Sequence, residues 1–141
     1  MDKSIGHMAR KLSRYIKHNL FHRVGEATSH QVTHVQARLL SYLEWMEEEK
    51  KDVYQKNIEE FLSISKSTAS ELISTLEKNE YISRVKLEED GRVRKIILLE
   101  KGYKTNKLIG DTIRDFEKEM KNKLTEDEIN TFTSIIEKLI N

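Results

Sequence analysis

Apolar residues recur at three- and four-residue steps along most of this chain, and the period changes only once, to the alternation of strands, between Ile82 and Leu98. That single change limits the fold to a set of helices carrying one hairpin. Ile5, Met8, Leu12, Tyr15, Ile16 and Leu20 form the stripe of a first amphipathic helix, and Gly25 to Ser29 read as the loop that ends it. Thr33 with Gln36 three residues later is a capping box opening a second helix, whose expected buried face is Val35, Leu39, Leu40 and Leu43. A short helix follows from about Tyr54 to Leu62, with Ile58 and Phe61 expected to turn inward. After the tight connection Ser63-Ile64-Ser65 comes a helix that Ser65 can cap, with Ala69, Leu72, Ile73 and Leu76 on one face. Two helices joined by so short a turn are a helix-turn-helix candidate.

The run Ile82, Val85, Leu87 and the run Val93, Ile96, Ile97, Leu98 flank Glu88-Glu89-Asp90-Gly91, so a β-hairpin turning at Asp90-Gly91 is expected, with Gly91 supplying a positive φ. After Gly102 the helical period returns through Tyr103, Leu108, Ile109, Ile113, Phe116 and Met120. Thr125 and Glu128 make a second capping box before a last helix bearing Ile129, Phe132, Ile135, Ile136 and Leu139. The expected fold is mainly α with a small β-hairpin wing. It is a winged helix-turn-helix at 32–102, between dimerisation helices at 1–31 and 103–141.

Composition removes several classes of function. The 141 residues contain no cysteine, which excludes disulfides, thiolate catalysis and zinc–thiolate sites, and no proline, which favours uninterrupted helices. No apolar run approaches the roughly 20 residues of a membrane span. Lys3, Arg10, Lys11 and Arg14 interrupt the apolar stretch a secretory leader would need, so a cytoplasmic protein is expected. No nucleophile stands with a base and no glycine-rich phosphate loop occurs, so no enzyme and no cofactor is expected. Net charge is only +1, yet a local basic patch, not the total, decides nucleic-acid binding.

Such a patch is present. The candidate recognition helix opens with Ser65, Lys66, Ser67, Thr68 and Ser70, short donors suited to phosphates and base edges beside a helix N-terminus. The hairpin carries Arg84, Lys86, Arg92, Arg94 and Lys95, and an arginine just past a hairpin tip suits a narrow minor groove. Serines at a helix start can equally be plain caps, and basic residues on a hairpin can be a solvated edge. Their order and spacing together favour double-stranded DNA as the partner.

Three stretches resemble the MarR family of regulators. They are Val32 to Leu40, Ile64 to Ser70 continuing to Leu76-Glu77-Lys78, and Asp90 to Leu98 with Glu100-Lys101-Gly102 behind it. The resemblance implies that Asp90 braces the wing, that Arg92 enters the minor groove, and that Gly91 belongs to the wing turn. Glu80 stands where the family usually has glycine, leaving Asn79 as the candidate left-handed cap. Leu99 replaces a capping threonine, and Ser63 stands where a turn glycine is common.

The terminal stripes are too apolar to face water, so Ile5, Met8, Leu12, Ile129, Phe132, Ile135, Ile136 and Leu139 are expected at a two-fold homodimer interface. Tyr15, His18, Phe21 and Arg23 are a candidate pocket for a small-molecule effector, of the kind related regulators bind. His18 and His22 have a spacing that binds zinc, but no further ligand completes a set and no metal site is assigned. The expected function is a ligand-responsive repressor reading an inverted-repeat operator as a homodimer. A winged-helix adaptor that contacts protein instead of DNA, and a metal-responsive regulator, stay open beside it.

Overall fold

A computed structural model describes residues 3–87 and 90–141. The elements follow the expected order: α1 (Ile5–Ala27), α2 (His34–Glu48), α3 (Gln55–Leu62), α4 (Lys66–Lys78), β1 (Ile82–Leu87), β2 (Asp90–Leu98), α5 (Glu100–Asn122) and α6 (Glu126–Ile140). The strands form one antiparallel hairpin, with Ile82 opposite Leu98 and Lys86 opposite Arg94. Helix-turn-helix followed at once by a hairpin makes this a winged-helix fold.

The helix starts form for the reasons the sequence offers. Thr33 and Thr125 each accept the backbone N–H three residues on, while the side chains of Gln36 and Glu128 reach back to the cap amides. Ser65 caps α4 by accepting from the Thr68 amide, and Leu99 begins α5 with no side-chain cap.

Several local expectations change. The first helix does not stop at Gly25 but runs to Ala27, where the Thr28 hydroxyl donates to the Val24 carbonyl at 2.9 Å. Asn79 keeps a negative φ, and it is Glu80 that adopts the left-handed conformation, at φ 65°. This lets the Tyr81 amide close the end of α4 on the Leu76 carbonyl at 3.0 Å. Asp90 and Gly91 open β2 instead of lying between the strands; Leu87 pairs with Asp90, and the register shifts between Lys86 and Leu87. The expected wing tip at Glu88 and Glu89 lies outside the described residues, as do the side chains of Asp90, Gly91 and Arg92.

One core joins α2, α3, α4 and the hairpin. Leu39, Leu40, Ile58, Ile73, Leu76 and Ile82 are completely buried, each contributing roughly 1.5–3 kcal/mol of hydrophobic stabilisation. Val35 and Phe61, expected inside, are exposed. Phe61 instead stacks flat on Tyr42, with ring centroids 4.1 Å apart.

The long helices attach to this core at two places. The Tyr103 hydroxyl donates to a Glu47 carboxylate oxygen at 2.5 Å, and the Asn106 amide nitrogen donates to the Leu40 carbonyl at 2.9 Å, fixing α5 to α2. Farther along, α1 crosses α5 over the buried ring of Phe116. Tyr15 tilts against that ring, and the Arg23 guanidinium lies 4.6 Å above it while pairing with Glu119. No residue of α1 or α6 is buried.

Two predictions follow from how α5 is seated. A Cβ on Gly102 would lie 2.5 Å from the Tyr81 carbonyl oxygen and 2.7 Å from a Leu98 methyl. Alanine at a helical glycine ordinarily gains about 1 kcal/mol, but here the obstacle is backbone. Gly102→Ala should therefore destabilise by about 1–3 kcal/mol in urea unfolding; a gain in stability would contradict the close approach.

The hydrogen bond to Glu47, with burial second, pushes the Tyr103 hydroxyl from 10.0 up to about 12. A group whose proton is held more tightly in the folded state stabilises below its unfolded pKa and loses that contribution as pH rises through the folded one. The stability gap between wild type and Tyr103→Phe should accordingly shrink between about pH 10 and pH 12 in paired unfolding curves. A gap independent of pH across that window would argue against the bond.

Candidate nucleic-acid interface

Ser65, Lys66, Ser67 and Thr68 stand exposed at the start of α4, and Ser70 is half-buried one turn on. The Ser65 hydroxyl accepts from the Thr68 amide at 3.1 Å and donates to the Thr68 hydroxyl at 2.8 Å, a bond that does not use that second hydroxyl's own proton. The first amides of a helix have no intrahelical partner, so this end offers backbone and side-chain donors together to an anion or a base edge. The preceding helix supports the same end: the Gln55 amide nitrogen donates to the Lys66 carbonyl at 3.2 Å. Gln55 carried no motif. Its position as first residue of α3, two elements being joined by a short turn, is the only clue the sequence holds.

The five basic residues of the hairpin do not share one environment. Lys86 and Arg94 face each other across the strands and are exposed, with the freedom a phosphate contact needs. Arg84 is largely taken up by the fold. Its guanidinium donates to the Ser74 hydroxyl at 2.7 Å and lies 3.9 Å from the Glu77 carboxylate, while its backbone N–H donates to Glu77 at 3.0 Å. Arg84 thus braces β1 against α4, so that wing and recognition helix keep one relative orientation. Lys95 reaches the Asp52 carboxylate at 2.9 Å, and that hydrogen bond raises its pKa above the ordinary lysine value. Arg92 lies in β2, and its side chain is outside the description.

The residues expected around an effector are only partly gathered. Tyr15 and Arg23 meet at Phe116, where Arg23 is engaged by Glu119 and the ring beneath it. Phe21 is 72% exposed and His18 is exposed. His22 pairs with Glu26 at 3.2 Å. Among the described residues no cluster of three or more His, Asp or Glu could hold a metal ion.

The expected dimer residues lie uncovered. Ile5, Met8, Leu12, Phe132, Ile135, Ile136 and Leu139 are all exposed, Ile5 at 60% and Leu139 at 53%, and Ile129 is half-buried. No helix among the described residues is long and apolar enough to cross a membrane.

The model of the MarR family matches residues 32–93, the stretch from the cap of α2 into β2. No curated protein matches the chain. Among solved structures, it is similar to MepR, a transcription regulator of the Staphylococcus aureus multidrug efflux pump MepA, with TM-score 0.85 and 20% identity, over 97% of this chain and 96% of that one. An S. aureus MepR mutant bound to an oligodeoxyribonucleotide gives TM-score 0.78 at 21% identity, over 99% and 97%. The heme sensor protein PefR from Streptococcus agalactiae, solved with heme, gives TM-score 0.65 at 28% identity, over 98% and 92%. Residues 32–93 thus match the model of the MarR family, and the whole chain has the fold of the transcription regulator MepR.

Proposed function

We propose that this chain is a cytoplasmic, DNA-binding transcriptional regulator that acts as a homodimer on an inverted-repeat operator, as a repressor relieved by a small ligand. The reading rests on one coincidence. The segment that matches the MarR family spans the helix-turn-helix, β1 and the start of β2, and these elements keep Lys66, Ser67, Thr68, Lys86 and, just past the match, Arg94 exposed. The N-terminal turn of α4 enters the major groove, where its hydroxyls meet base edges. Lys86 and Arg94, with Arg92, lie along the adjacent backbone and minor groove. Arg84 and Lys95 act by holding the wing in place more than by touching DNA. A second copy covers the apolar faces of α1 and α6, where Ile5, Leu12, Ile135 and Leu139 stand exposed. The 32–102 lobe then carries recognition, and 1–31 with 103–141 carries assembly.

The division of labour among the wing residues gives the test. Arg94→Ala removes an exposed charge and should leave the melting temperature unchanged. It should weaken binding to a duplex by about 1–3 kcal/mol and lower the salt slope by roughly one unit. Arg84→Ala strips Ser74 and Glu77 of their partner and should instead cost about 1–2 kcal/mol of folding stability. Fluorescence anisotropy at several salt concentrations, beside thermal melts, reads both. If neither wild type nor variant shows salt-dependent duplex binding, the adaptor reading takes its place.

A further inference from the structure

α1 and α5 are helices of the same length, 23 residues, packed against each other, yet their surfaces are charged in different ways. Along α5 the signs are mixed, and Lys104, Lys107, Arg114 and Lys121 each pair with an acid three or four residues away. Along α1 stand five Lys or Arg and one acid, Glu26 in the last turn. Arg23 is engaged by Glu119 and the Phe116 ring. The other four, Arg10, Lys11, Arg14 and Lys17, are exposed and make no hydrogen bond or ion pair with the described residues. Like charges at these spacings repel one another along the helix, a cost that no partner among the described residues offsets.

Steps of four and three residues set Arg10, Arg14 and Lys17 in a row about 10 Å long, on the side of α1 opposite Ile5, Met8 and Leu12. Lys11 flanks the row beside His7 and His18, and Phe21, 72% exposed, continues it. This face therefore stays in water when a second copy covers the apolar stripe. It also stands apart from the wing. Tyr15 meets α5 at Phe116, roughly 21 Å along that helix from Gly102, where the hairpin base is seated.

A row of unpaired cations matches a partner whose negative charge repeats along its length, and the guanidinium forks of Arg10 and Arg14 suit phosphate. A lipid surface matches less well. Binding there scales with buried apolar area, and Phe21 alone among the exposed large apolar residues of α1 lies on this side. We propose that the outer face of α1 is a second, sequence-independent surface for duplex DNA, engaging a segment other than the one beneath α4. The choice of DNA among phosphate polymers rests on the reading above; the charge of the surface does not.

Fluorescence anisotropy with a duplex of unrelated sequence tests it, on the full chain carrying Lys66→Ala, Lys86→Ala and Arg94→Ala to silence α4 and the wing. That triple variant should still bind, with log affinity falling against log salt at a slope of about −3 to −4, as four neutralised phosphates require. Adding Arg10→Ala, Lys11→Ala, Arg14→Ala and Lys17→Ala should weaken it at least about tenfold, with an unchanged melting temperature and an unchanged dimer in sedimentation. Adding Lys104→Ala, Lys107→Ala, Lys118→Ala and Lys121→Ala instead removes the same charge from α5, and should cost less than about threefold. Equal losses from the two sets would leave only net charge as the cause and overturn the surface. So would a dimer broken by the α1 set, or vesicles of phosphatidylcholine and phosphatidylserine bound as tightly as duplex at the same ionic strength. If the triple variant binds no duplex while wild type does, this surface falls and the function proposed above stands. If the two bind alike and the α1 set abolishes binding, recognition by α4 and the wing falls and this surface stands.

Discussion

The arrangement of this molecule depends on a single close contact at the Tyr81 carbonyl. That oxygen accepts the Leu99 amide at 3.0 Å, which closes the base of the hairpin, and it lies under Gly102 of α5, where no side chain would fit. The Tyr81 amide meanwhile ends α4 through the left-handed turn at Glu80. Recognition helix, wing and long helix therefore converge on one residue, itself buried to 4% exposure. A backbone contact of this kind has no flexible end to give way, so the geometry between α4, the hairpin and α5 is held firmly.

Outside that junction the two halves of the chain are stabilised differently. The winged segment owns a closed apolar core, from Val32 to Leu98. The helices beyond it meet mainly at Phe116, a buried ring under Arg23 and Tyr15, and leave large apolar side chains in water. Such a surface is incomplete as it stands, since each exposed leucine or isoleucine forgoes roughly 1.5–3 kcal/mol that burial would supply. A two-fold copy would present the same faces, so the proposed homodimer would cover them.

Much of this was legible in the sequence because the deciding interactions are local. The capping boxes at Thr33–Gln36 and Thr125–Glu128 act over three residues, and the helical stripes of Leu39–Leu40–Leu43 and Ala69–Ile73–Leu76 bury as their spacing requires. Pairings between distant residues were not legible. Arg84 with Ser74 and Glu77, Lys95 with Asp52, and Tyr103 with Glu47 separate two kinds of basic or polar residue that composition treats alike. Phe61 on Tyr42 belongs to the same class: a partner across the helix pair satisfied a ring that periodicity alone placed inside.

The proposed function requires two copies of α4 presented to DNA by one two-fold dimer. Hydroxyl-radical footprinting of the protein on a bound operator duplex measures that directly. It should protect two equivalent segments, related by a two-fold axis and centred roughly 34–36 Å apart, one turn of the duplex. A single asymmetric protected segment, or none at protein concentrations where the dimer is formed, would contradict it.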